Sequence, residues 1–195
     1  TDSTRISKEM QETAKDFILR NYGEDYYPSK PNVYGSKGSA QDAHEAIRPT
    51  SLELTPKMVE PFLSRDELKL YTLIWNRFMA SQMAPQQNES TTIELTVHDD
   101  YTFKATGSRV IFPGFSAVYE DVKKEDAPQL PGLKKNDLAH TVEVLPEQHF
   151  TQPPPRYSEA SLIKTLEELG IGRPSTYAPI LDTIVSRNYV ENTNK

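Results

Sequence analysis

Between Ser64 and Ala105 the spacing of apolar residues changes from a helical period to a period of two, and no single-class fold carries both. Leu68, Tyr71, Ile74, Trp75, Phe78 and Met79 recur at three- and four-residue steps, which gathers them on one helical face. Ser64 and Glu67 ahead of them form a capping box, so the helix should begin just after Ser64. Beyond Pro85, Ile93, Leu95 and Val97 alternate with polar residues, and Tyr101, Phe103 and Ala105 resume the alternation across His98-Asp99-Asp100. That pattern predicts an antiparallel hairpin. The chain is therefore α+β, with helical regions flanking an antiparallel segment.

The flanks read as follows. Residues 8–20 predict an amphipathic helix with Ser7 as N-cap, Met10, Ala14, Phe17 and Ile18 on one face, and Gly23 just past its end. The stretch 21–40, rich in Gly, Pro, Ser and Tyr, has no apolar period and reads as a surface loop whose Tyr22, Tyr26, Tyr27 and Tyr34 pack together, base stacking being the minority reading. Phe115–Tyr119 and Thr141–Val144 look like further strands on either side of a polar connection at 123–137. Three prolines, Pro153 to Pro155, form a stiff hinge and a natural boundary. We expect regions 1–85 (helical), 86–152 (antiparallel β) and 153–195 (helical), with no internal repeat.

Composition narrows the function classes. With 36% hydrophobic and 26% charged residues the chain can bury a core. No apolar run approaches the roughly 20 residues that cross a bilayer. The absence of Cys excludes disulfides, thiolate zinc sites and a Cys nucleophile. A net charge of −6 argues against a general basic footprint for nucleic acid. The excess is local, however: residues 86–150 hold 6 Lys+Arg against 11 Asp+Glu, whereas 151–195 hold 5 against 5. Local phosphate sites on the flanks remain open.

Two constellations could carry chemistry. In the first, a helix from Ser158 with Leu162, Ile163, Leu166 and Leu169 on one face stops at Gly170, and a second helix capped by Ser175 follows, making a helix-turn-helix. Arg173, Ser175 and Thr176 then stand beside the free N–H groups of a helix N-terminus, where an anion is favoured. The same residues also suit a capped surface helix with a solvated Arg. In the second, His44 and Arg48 of Asp42-Ala43-His44-Glu45-Ala46-Ile47-Arg48-Pro49 could both donate to one phosphate. Asp42, His44 and Glu45 lack the spacing of metal ligands, and no HExxH occurs. His98, His140 and His149 read as structural or solvated.

Taken together, Thr1-Asp2-Ser3-Thr4-Arg5-Ile6-Ser7, AHEAIRPT at 43–50, LYTLIWNRFMASQM at 70–83 and the whole of 153–190 resemble bacterial type IA DNA topoisomerases in order and spacing. The resemblance implies an ATP-independent enzyme that relaxes negatively supercoiled DNA through a transient 5′-phosphotyrosine, followed by strand passage. In that family the nucleophile lies in a Tyr-Met-Arg-Thr-Asp-Ser run, so this chain is expected to open just after the Tyr and to be inactive alone. The resemblance further implies a toprim domain, outside these residues, that holds Mg²⁺. Region 1–85 would then belong to the helical domain that bears the Tyr, 86–152 to the β arch, and 153–195 to a DNA-holding helical segment. His44 would approach the scissile phosphate with Arg48 in support, while Arg173, Ser175, Thr176 and Arg187 would hold the backbone of the single-stranded gate segment. A monomeric, cytoplasmic, nucleoid-associated parent with no membrane partner is implied.

Two departures from the family pattern, Pro179 in the first turn of the last helix and Asn188 where Gly is common, are both sterically acceptable. The competing reading is a self-contained helix-turn-helix module that binds nucleic acid or protein without catalysis. A natural module should begin and end at caps or linkers, and a start inside a motif favours the topoisomerase segment.

Overall fold

The computed structural model describes residues 3–34, 44–97, 101–119 and 130–193. The described residues divide into two compact units, one within 3–142 and the other 143–193.

In the larger unit the helix predicted at 8–20 is α1, Lys8–Asn21. The Ser7 hydroxyl accepts the Met10 N–H at 3.3 Å, as an N-cap should. The short α2, Pro56–Val59, precedes α3, Arg65–Gln82, whose capping box is formed in full: Ser64 Oγ accepts from Glu67 N, and Ser64 N donates to the Glu67 carboxylate at 2.9 Å. The apolar faces of α1 and α3 meet. Ala14, Ile18 and Met79 are fully enclosed, and the Phe17 and Trp75 rings pack edge to face at 5.8 Å. Leu52 and Val118 complete this core, and Trp75 Nε1 donates to the Leu52 carbonyl at 3.3 Å. Each such fully buried side chain contributes roughly 1.5–3 kcal/mol of transfer free energy.

The tyrosine loop is pinned to this core rather than standing free. Tyr22, Tyr26 and Tyr27 pack against it, as the packing reading expects. Ala84 N donates to the Tyr26 carbonyl at 2.8 Å, Asn32 Nδ2 donates to the carbonyls of Ser81 and Met83, and Tyr34 Oη donates to Ser81 O at 2.6 Å. The bonds from Asn32 and Tyr34 satisfy carbonyls that the C-terminal turn of α3 leaves without helical partners.

The period-two stretch is an antiparallel hairpin of β1, Gln87–Val97, and β2, Tyr101–Phe112. The expected turn residues His98–Asp100 lie outside the described residues, as do Asp42 and 120–129 of the connection. Ile93 faces Ala105, Leu95 faces Phe103 and Val97 faces Tyr101, so all six share one face of the ribbon. Tyr101 and Phe103 are exposed there.

Two expected strands are not formed. Phe115–Val118 belongs to a 3₁₀ segment, Gly114–Val118, with Tyr119 as its C-cap. Gly114, at φ +49°, turns the chain tightly under Ala84 and Pro85, Phe115 N donates to Ala84 O at 2.8 Å, and Val118 thereby enters the core. Thr141–Val144 forms no ladder, and Val142 is almost wholly exposed. A strand needs a partner for its backbone groups, and no described residue supplies one there.

In the second unit α4, Glu159–Glu168, starts at Ser158 as predicted, with the Ser158 and Ser161 hydroxyls serving each other's backbone. It ends in a Schellman turn: Gly170, at φ +71°, donates to Glu167 O and Ile171 N donates to Leu166 O at 2.8 Å. The next helix, α5, Tyr177–Ser186, ends the same way with Asn188 at φ +55° in the glycine position and Tyr189 N donating to Ile184 O. That use of Tyr189 is why the strand-like pair Tyr189-Val190 is a helix terminus instead.

Candidate functional site

The first group of candidate residues is built where residues 3–7 lie against residues 44–48. Ser3, buried although polar, donates its hydroxyl to the His44 carbonyl at 2.7 Å, and the Arg5 carbonyl accepts the Ala46 N–H at 2.8 Å. These two bonds span about forty residues of sequence and fasten the His44 backbone to the segment leading into α1. The His44 and Arg5 side chains are exposed beside them.

Arg48 is committed within its own loop. Its Nε and Nη2 lie 3.1 and 2.9 Å from one Glu45 carboxylate oxygen, and its Nη1 donates to the Pro49 carbonyl at 3.3 Å. The Arg48 hydrogen bond holds the Glu45 carboxyl below its ordinary range, the hydroxyl and N–H of Ser7 add to this, and partial burial opposes it. Ser7 is also the cap of α1, so the loop and the helix start share one residue. His44 and Arg48 are thus brought into one short loop, with His44 open to solvent and Arg48 held by Glu45.

Glu45 is the residue whose structural part the sequence reading missed. A carboxylate three positions before an Arg is the signal for it in the sequence. Among the described residues no group of three or more His, Asp or Glu is placed to hold a metal ion.

The second group lies around α5. Ser175 is not the cap expected of it: Thr176 occupies that place, with helical rather than extended backbone and no side-chain bond into the helix. The Thr176 hydroxyl instead accepts the Arg173 N–H at 2.8 Å and donates to Arg173 O at 3.0 Å, closing a turn over 173–176 ahead of the helix. Arg173 Nη1 reaches the Gly172 carbonyl at 2.7 Å. Arg173, Ser175 and Thr176 are all exposed at the helix start. Arg187 is the C-cap, at the far end of a ten-residue helix. At 1.5 Å per residue the two ends of the helix lie roughly 15 Å apart, so Arg187 and Arg173 stand at opposite ends of it.

The described residues thus comprise a helical core carrying a loop that exposes His44, an antiparallel hairpin, and a helix-turn-helix with Arg173 ahead of its second helix. The sequence matches the DNA topoisomerase family over residues 1–195, and the chain belongs to that family, as a segment of the bacterial type IA kind. It is 47% identical to DNA topoisomerase 1 of Xylella fastidiosa, with 98% of this chain and 24% of that protein covered. It is 49% identical to DNA topoisomerase 1 of Campylobacter jejuni, over 97% of this chain and 27% of that protein. Among solved structures, full-length topoisomerase I from Thermotoga maritima matches all of this chain and 31% of its own, at 38% identity and a TM-score of 0.77. The chain therefore spans about a quarter of the length of the curated relatives it matches.

Proposed function

We propose that these residues serve the ATP-independent relaxation of negatively supercoiled DNA, by transient cleavage of one strand through a 5′-phosphotyrosine and passage of the other. The match to DNA topoisomerases over the whole chain carries this reading. The nucleophilic Tyr and the carboxylates that hold Mg²⁺ belong, on this reading, to other parts of the protein. No step is assigned to the metal.

Within the chain, region 1–85 belongs to the helical domain that bears the Tyr, 86–152 to the arch spanning the DNA gate, and 153–195 to the segment that holds single-stranded DNA. His44 is free to donate to a nonbridging oxygen of the scissile phosphate, where charge is redistributed in the transition state. Arg48 supports the loop from behind. Arg173, Ser175 and Thr176 at the start of α5, and Arg187 at its end, contact separate phosphates along the strand, positioning it without reading its bases. The protein acts as a monomer in the cytoplasm, on the nucleoid; no described helix is long and apolar enough to cross a membrane.

The test is relaxation of negatively supercoiled plasmid by the full-length protein with Mg²⁺, beside its His44→Ala and Arg173→Ala variants. His44→Ala should slow cleavage more than it weakens binding. Arg173→Ala should weaken single-strand binding alike for different sequences and lower the salt slope by about one. Equal losses of cleavage and binding in His44→Ala would recast that residue as a positioning group.

A further inference from the structure

The loop that carries His44 has no regular secondary structure, and its described backbone is held by few bonds. Two of them, Ser3 Oγ to His44 O and Ala46 N to Arg5 O, flank Glu45 on either side. The Glu45 side chain then reaches Arg48 along its own loop and lies beside Ser7 across from it. We propose that Glu45 is a positioning residue: its carboxylate grips Arg48 between the two bonds that fasten residues 44–46 to residues 3–5, and so fixes where the His44 side chain is presented.

Arg48 follows from the same geometry. All three of its guanidinium nitrogens are engaged by Glu45 and the Pro49 carbonyl, so its charge serves the loop rather than a free anion. The Glu45 carboxylate is the only acceptor that ties this guanidinium to a residue other than its immediate neighbour among the described contacts. Removing it releases Arg48, while the bonds of Ser3 Oγ to His44 O and of Ala46 N to Arg5 O on either side keep the loop attached. The expected consequence is a misplaced rather than an unfolded loop. Displacements of about 1 Å in a reacting group cost on the order of 100-fold in rate, and loss of a partner behind a functional group typically costs about 10- to 100-fold.

This inference rests on the functional reading of His44 given above, and the experiment separates the two. In the full-length protein, Glu45→Ala, Glu45→Gln, His44→Ala and the His44→Ala/Glu45→Ala pair are compared for single-strand cleavage rate and for oligonucleotide Kd. Glu45→Ala should slow cleavage about 10- to 100-fold with Kd within about threefold of the parent, and Glu45→Gln, which keeps one acceptor oxygen, should recover part of the rate. The double variant should cleave no more slowly than His44→Ala alone, since Glu45 acts through His44 and coupled sites are not additive. Should Glu45→Ala fail to fold, Glu45→Gln combined with His44→Ala gives the same cycle. A parental cleavage rate in the Glu45 variants, or a double variant whose loss is the product of the two single losses, overturns the positioning role. A parental rate in His44→Ala overturns the functional reading on which it stands.

Discussion

The helices of the two units are written in the same style and end up in different environments. In α1 and α3 the apolar faces are enclosed, with Ala14, Ile18 and Met79 at 0% exposure. In α4 and α5, whose sequences are at least as amphipathic, no residue is buried, and none is anywhere between 143 and 193. An amphipathic pattern supplies a face, and burial requires a second face of matching size within reach. The helix-turn-helix is consequently held by local devices: a Ser cap, a turn closed by Thr176, and two Schellman ends. The larger unit is held by a core.

Replacing core residues tests this contrast most strongly. Met79→Ala should cost about 2–5 kcal/mol, because a fully enclosed side chain leaves a cavity. The single Trp, Trp75, sits in that core and reports it directly by fluorescence in urea. Ile180→Ala on half-exposed α5 should leave the Trp75 midpoint where it is. Equal shifts from both would mean that the two units unfold as one.

A pair of glycines sharpens the point. Gly114 and Gly170 both have positive φ, yet a Cβ on Gly114 would lie 2.4 Å from the Pro85 carbonyl oxygen, whereas one on Gly170 meets nothing within 4 Å. Gly114→Ala should therefore cost about 3 kcal/mol or more, from strain and a backbone clash together. Gly170→Ala should cost only the left-handed backbone term, roughly 1–2 kcal/mol, read as fraying of the end of α4 in amide exchange. Comparable losses would show that the tight turn under Ala84 and Pro85 is not closed in solution.

The smallest effect concerns the caps. Ser64→Ala should cost about 1 kcal/mol. Hydrogen bonds from Ser64 hold the Glu67 carboxyl below its ordinary value of 4.5, against a small opposing effect of burial. A depressed carboxylate contributes stability that is present above the unfolded value and lost as pH falls through the folded one. The gap between parent and Ser64→Ala should thus narrow in acid below about pH 4.5, and Glu45→Gln should flatten the same part of the stability curve. A gap that is constant down to acid pH would show that the Ser64 hydroxyl does not act on the Glu67 carboxylate.

Much of this was legible in the residues. Ser7, Ser64 and Ser158 mark the starts of α1, α3 and α4, and Gly170 and Asn188 mark the ends of α4 and α5, because caps and left-handed termini are decided by atoms a few positions away. The hairpin was legible for the same reason, since its alternation lies within one stretch of chain. Ser175 was misjudged as a cap because Thr176 has a competing local partner in Arg173, and side-chain bonds of this kind leave no periodic trace.

The amino-acid sequence by itself determined the class of the chain, the starts of α1, α3 and α4, the hairpin and the family, since each depends on local spacing or on runs of residues. Tertiary structure alone decided that Phe115–Tyr119 folds under the end of α3, that Thr141–Val144 has no ladder, and that the loop of His44 and Glu45 is fastened to residues 3–5. Each of those outcomes depends on what a distant segment brings within hydrogen-bonding or packing distance. Short strand-like runs are stable only with a partner for their backbone groups, and a carboxylate takes its role from whichever donors reach it.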